Sequence, residues 1–77
     1  MRIAELTPRP DWTFLVIAND GRVGQFDLRP YLKYEAFEEL NDIGEFIKIK
    51  NGGYFVEWDC GADLSADTIE AKMLVTN

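Results

Sequence analysis

Two apolar runs flanking Asn19-Asp20-Gly21 constrain this chain more than any other feature. The first, Trp12 to Ala18, is apolar at almost every position, and the second is Val23 to Leu28. Runs of strand length on either side of an Asp-Gly turn read as a β-hairpin. A strand as apolar as the first is central in its sheet or covered on both faces. The register follows from what must be buried. A two-residue loop at Asp20-Gly21 would set Phe14 against Asp27 and Val16 against Gln25. A three-residue loop, with Gly21 left-handed as a bulge, sets Phe14 against Phe26 and Trp12 against Leu28. Burying one whole face favours the second. Trp12, Phe14, Val16, Phe26 and Leu28 then share a core face.

The remaining punctuation divides the rest of the chain. Arg2 to Leu6 forms a first strand, ended by Thr7-Pro8-Arg9-Pro10. Asn51-Gly52 suits a two-residue loop with positive φ at both positions, which sets Ile49 opposite Tyr54 and Ile47 opposite Val56. Trp58 continues that face. Between the hairpins, Pro30 stands at a first helical position, and Leu32, Ala36, Phe37 and Leu40 recur at near-helical spacing. Asp42 caps a short turn leading through Phe46 into the next strand. Ser65 caps a last helix, with Asp67 in its first turn, Lys72 near its end, and Ala66, Ile69 and Met73 facing inward. The expectation is an α+β fold in one domain, residues 1–77. It comprises a small antiparallel sheet of about five strands, in the order β-β-β-α-β-β-α, with two short helices packed on one face.

At 77 residues the chain buries only about 60% of the surface its unfolded form exposes, so most large apolar side chains are needed in the core. The net charge of −6 repels phosphates, and the basic residues Arg2, Arg9, Arg22, Arg29, Lys33, Lys48, Lys50 and Lys72 are scattered. Both observations argue against direct nucleic-acid binding. One cysteine, Cys60, suits a reducing compartment. The N-terminus has no apolar signal core and no run reaches membrane-span length, so the expectation is a soluble, cytoplasmic protein with no membrane contact.

Histidine is absent, which removes the commonest general base and metal ligand. No Ser–His or Cys–His pair can be built, nor a zinc site of the usual Cys/His kind. Gly52-Gly53 lacks the Lys-Ser/Thr of a phosphate loop. No catalytic residue, metal or cofactor is therefore assigned. Cys60 lies between Asp59 and Gly61, near Asp63, and this negative setting disfavours a reactive thiolate. Glu57, Asp59, Asp63 and Asp67 have the oxygen chemistry of a hard-cation site but not the spacing of an EF-hand loop. Asp63 and Asp67 more readily serve the turn and dipole of the last helix. Asp27, just before Pro30, reads as a turn or cap carboxylate.

One ordered set of residues is familiar. It comprises Asp20-Gly21, Phe26-Asp27-Leu28, Pro30, Leu32, Phe37-Glu38-Glu39-Leu40, Asp42 and Phe46, Val56-Glu57-Trp58 and Gly61-Ala62-Asp63-Leu64. The chain resembles the bacterial domain-of-unknown-function 2442 family from Ile3 to about Ile69. It departs from the family at Ala18, often aromatic there, and at Asp59, often proline. Some members carry a helix-turn-helix. The resemblance implies no established activity or catalytic residues. It implies a binding or regulatory module, with a partner of the toxin–antitoxin kind.

Three readings follow. The first is a non-catalytic protein-interaction or regulatory module presenting Tyr31, Tyr34, Glu35, Glu38 and Glu39 to another protein. The second is a small-ligand or cation binder, or an enzyme, using Asp27, Asp59 and Asp63. The third is a DNA-linked regulator lacking its helix-turn-helix. An unpaired sheet edge, with the first strand as candidate, also offers a route to a homodimer.

Overall fold

The computed structural model describes residues 1–76. The α+β class holds, but the single five-stranded sheet is replaced by two antiparallel sheets, of four and three strands. The first sheet contains β1 (Ile3–Pro8), β2 (Thr13–Ala18), β3 (Val23–Asp27) and, at the far end of the chain, β7 (Leu74–Val75). Its order is β1-β2-β3-β7, so β2 is central, as its unbroken apolarity requires. The second contains β4 (Lys50–Asn51), β5 (Phe55–Glu57) and β6 (Asp63–Ser65). Short helices α1 (Ile43–Phe46) and α2 (Ala66–Lys72) complete the regular elements, with two 3₁₀ segments, Arg29–Tyr31 and Glu35–Asn41. No helix among the described residues is long and apolar enough to cross a membrane.

The first hairpin has the three-residue loop. Phe14 faces Phe26 and Val16 faces Gly24. Gly21 takes a φ of 91° and its amide donates to the Ala18 carbonyl. Phe14, Val16, Phe26 and Leu28 are all buried, and Trp12 packs against them half-buried. Trp12 carries a φ of 63°, which a bulky side chain adopts only under constraint. The constraint is visible. Its indole Nε1 donates to the Leu40 carbonyl at 2.6 Å, and its own carbonyl accepts the Leu28 amide.

The second hairpin departs from expectation. Val56 faces Asn51 and Glu57 faces Lys50, rather than Val56 facing Ile47. The reason lies in Asn51. Its Oδ1 accepts the Gly53 amide at 2.8 Å, while its Nδ2 donates to the Ile3 and Ala4 carbonyls. This side chain stitches the hairpin to β1, and the positive φ falls on Gly53 at 85° rather than on the Asn51-Gly52 pair. Ile47 and Ile49 are consequently not strand residues. Their amides donate to Ile43 and Phe46 carbonyls, and helical turns run on past α1.

The expected helix after Pro30 is the pair of 3₁₀ segments. Tyr34, Phe37 and Leu40 then recur every three residues, the period that stacks them on one side of a 3₁₀ turn. Ala36, expected inside, is exposed. The two caps stand where expected. Asp42 accepts the Gly44 amide at the start of α1, and the Ser65 hydroxyl accepts the Thr68 amide at the start of α2.

One core joins the two sheets. Phe14 stacks on Phe26 with ring centroids 5.1 Å apart, and reaches Phe46 and Trp58 at 6.3 and 6.4 Å. Trp58 is buried and donates its Nε1 to the Phe46 carbonyl at 2.9 Å. Leu40, Val56, Ala62, Ala66, Ile69 and Met73 close the remainder. Gly24 is the clearance for Met73: a Cβ there would stand 2.6 Å from its sulfur. That close approach lets β7 reach β3, a strand no sequence pattern announced.

Candidate interaction surface

A ladder of rings leads from this core to the surface. Tyr31 lies parallel to Phe26, with centroids 5.7 Å apart and planes 4° apart. Tyr34 follows Tyr31 at 6.4 Å, and Phe37 braces Tyr31 at 5.7 Å. Tyr31 is half-buried, while Tyr34 is 55% exposed. The Lys33 ammonium stands 5.5 Å from the Tyr34 ring centroid. Glu35, Glu38 and Glu39 are exposed on the 3₁₀ segment that follows. The structure thus gathers the five residues singled out for an interaction surface onto one crossover between the sheets.

Cys60 joins them from the other side. It is half-buried, touches the core, and shares an open hollow with Glu35, Ala36 and Glu39. The two glutamates add to the negative surroundings expected from Asp59 and Asp63.

The other carboxylates do not converge. Asp27 ends β3 and is taken up locally, accepting from the Arg29 amide and from its guanidinium at 2.9 Å. This turn contact is the role expected of it, and the Arg29 guanidinium holds its carboxyl below the usual range. Asp59 and Asp63 flank the turn between β5 and β6, on the other sheet. Asp59 accepts from the Lys50 ammonium at 2.6 Å, which likewise lowers its pKa. Asp63 faces Glu57 across the ladder, and Glu57 faces Lys50. Like charges opposite one another oppose pairing, and Lys50 offsets part of that cost. Among the described residues no group of three His, Cys, Asp or Glu side chains is arranged to hold a metal.

These pairings make an expectation about acid. Asp27, Asp59, Asp20 (through the Arg22 amide) and Glu70 (through the Arg22 guanidinium) all have folded pKa values below their ordinary ones. Their stabilisation is complete above the unfolded carboxylate range, about 4, and is lost as pH falls through the lower folded values. The urea midpoint is expected to stay level from pH 7 to 5 and drop below about pH 4. Asp27→Asn should soften that drop. A midpoint that rises on acidification would contradict the ion-pair assignment.

Several surface features had no sequence signal. Tyr54, Leu74 and Val75 are 68%, 73% and 53% exposed. The start of β1, offered as a pairing edge, is partly covered, because the Ile3 amide donates to the Gly53 carbonyl at 2.7 Å. β7 is the sheet's other edge.

The family described as protein of unknown function (DUF2442) matches residues 3–73. That span contains both sheets except β7, the ring ladder and the capped helices. The chain belongs to the DUF2442 family. No curated protein and no solved structure matches it. For this DUF2442 domain, functional argument therefore rests on its own surface chemistry.

Proposed function

We propose that this DUF2442 domain is a non-catalytic protein-interaction or regulatory module of the cytoplasm, binding another protein as in a toxin–antitoxin-like pair. The observation that carries the reading is Tyr34, an exposed ring at the end of a ladder rooted in the core. An aromatic side chain already held by its neighbours loses little freedom on binding, and such residues anchor interfaces. Glu35, Glu38 and Glu39 favour a partner with a basic face.

The competing readings have less support. Arg22, Arg29, Lys48 and Lys50, four of the eight basic residues, are each engaged with a carboxylate of the same chain, which reduces the cationic charge available to DNA. A ligand, cation or enzyme site on Asp27, Asp59 and Asp63 would draw on two different sheets, and Asp27 and Asp59 are already ion-paired.

The test is capture from the native host on immobilised protein. The wild type is expected to retain one stoichiometric partner. Tyr34→Ala and Glu38→Lys, both on exposed positions, should retain at least tenfold less of it with unchanged circular dichroism. Equal retention by Tyr34→Ala, or no stoichiometric partner on the wild type, would overturn the proposal.

A further inference from the structure

A second concavity lies at the seam where the β4–β5 hairpin meets β1. It is open, about 500 Å3, and lined by Arg2, Ile3, Ala4, Asn19, Asn51, Gly52 and Gly53. Three observations set it apart. First, in a chain with 14 acidic residues, no carboxylate lines it. The hollow beside Cys60, by contrast, has two.

Second, Arg2 is held but not neutralised. Its guanidinium carbon stands 5.8 Å from the Tyr54 ring centroid, and its Nε lies close over Gly53. Among the described residues it has no carboxylate partner within ion-pairing distance, unlike Arg22 and Arg29. The Asn19 side chain on the rim makes no hydrogen bond among the described residues, while its backbone amide is fixed to the Arg2 carbonyl at 2.9 Å.

Third, the backbone is shaped at this place. β1 changes register between Ile3 and Glu5, so Ala4 forms a bulge, and Gly53 takes its positive φ opposite. Bulges recur beside binding sites because they re-aim side chains and end regular pairing. Asn51 bridges to Ile3 and Ala4 and fixes the two walls relative to each other.

We infer that this seam binds a carboxylate, with the Arg2 guanidinium and the Asn19 amide as its donors. A guanidinium presents paired N–H groups at the spacing of carboxylate oxygens. One cation matches one negative charge, and the absence of lining acids removes the repulsion found elsewhere on this surface. The inference does not rest on the Tyr34 interaction surface, with which it shares no residue.

The experiment is a titration of 15N-labelled protein with sodium acetate, against sodium chloride at equal ionic strength. Saturable shifts of the Arg2 Nε–H, the Asn19 side-chain amide and the Gly53 amide are expected with acetate and not with chloride. Arg2→Gln should weaken binding at least tenfold, whereas Arg9→Gln should leave it unchanged. Asn19→Ala, on an exposed position, should weaken it several-fold even if Arg2→Gln fails to fold. A parallel titration with acetyl-dialanine separates the sources: tighter binding than acetate indicates a peptide C-terminus, equal binding a small free acid. Identical shifts with chloride, wild-type affinity in Arg2→Gln, or wild-type affinity in Asn19→Ala would overturn the assignment.

Discussion

Trp58→Ala is expected to lower the stability of the fold by about 3–5 kcal/mol, read as a large fall in the urea midpoint at 25 °C. Removing a buried tryptophan costs about 3–5 kcal/mol, and a chain of this size has a total stability on the order of 4–12 kcal/mol. The Trp58 ring touches Phe14, Phe37 and Phe46, from the first sheet, the 3₁₀ crossover and α1 respectively. Its loss therefore opens the junction of every layer at once. Trp58→Phe separates packing from hydrogen bonding. It keeps a ring but leaves the Phe46 carbonyl without its indole donor. The expected cost is about 1–3 kcal/mol, read as a lower urea midpoint with unchanged far-UV spectrum. A Trp58→Ala protein within about 1 kcal/mol of wild type, well under the usual cost of such a truncation, would show that this ring does not join the layers.

The second large effect is at Trp12, and its test is a comparison of two replacements. Both Trp12→Ala and Trp12→Gly lose the indole and its 2.6 Å bond to the Leu40 carbonyl. Only alanine keeps a side chain at a φ of 63°. A left-handed conformation costs a non-glycine residue roughly 1–2 kcal/mol, against about 0.5–1 kcal/mol for glycine's greater freedom in the unfolded chain. Glycine is thus expected to be the more stable variant by about 1 kcal/mol, although both fall well below wild type. The order is read from urea midpoints, and alanine equal to or above glycine would remove backbone strain from the account. Asp11 shares in holding this turn. Its carboxylate accepts the amide and hydroxyl of buried Thr13 at 3.2 and 2.6 Å. The wild-type tryptophan is retained in a strained conformation because its ring and carbonyl are both used.

Local chemistry decided much of this architecture. Asn19-Asp20-Gly21 and the alternating apolar faces around it were sufficient for the first register, since only one pairing buries a whole face. Ser65, Asp42 and Asp27 declared their turn and cap roles because those contacts reach only two or three residues along the chain. Tyr31, Tyr34 and the glutamates after them lie together on the crossover for the same reason: they are neighbours in sequence.

What only the tertiary structure decided are the features made by distant segments. Asn51-Gly52 carries the signature of a two-residue turn, but Asn51 binds the carbonyls of Ile3 and Ala4, 48 and 47 residues away, and the register shifts with it. The pairing of β7 depends on Gly24 clearing space for Met73. The two sheets share one core because Phe46 and Trp58 pack against Phe14, while the second hairpin meets the β1 edge through Asn51 and Gly53. The Arg2 seam exists only because of that arrangement. A turn signal weighs a few residues' conformational preference, worth about 1 kcal/mol. A long-range hydrogen bond or a buried ring that competes with it is worth as much or more, and where the two disagreed, the contact prevailed.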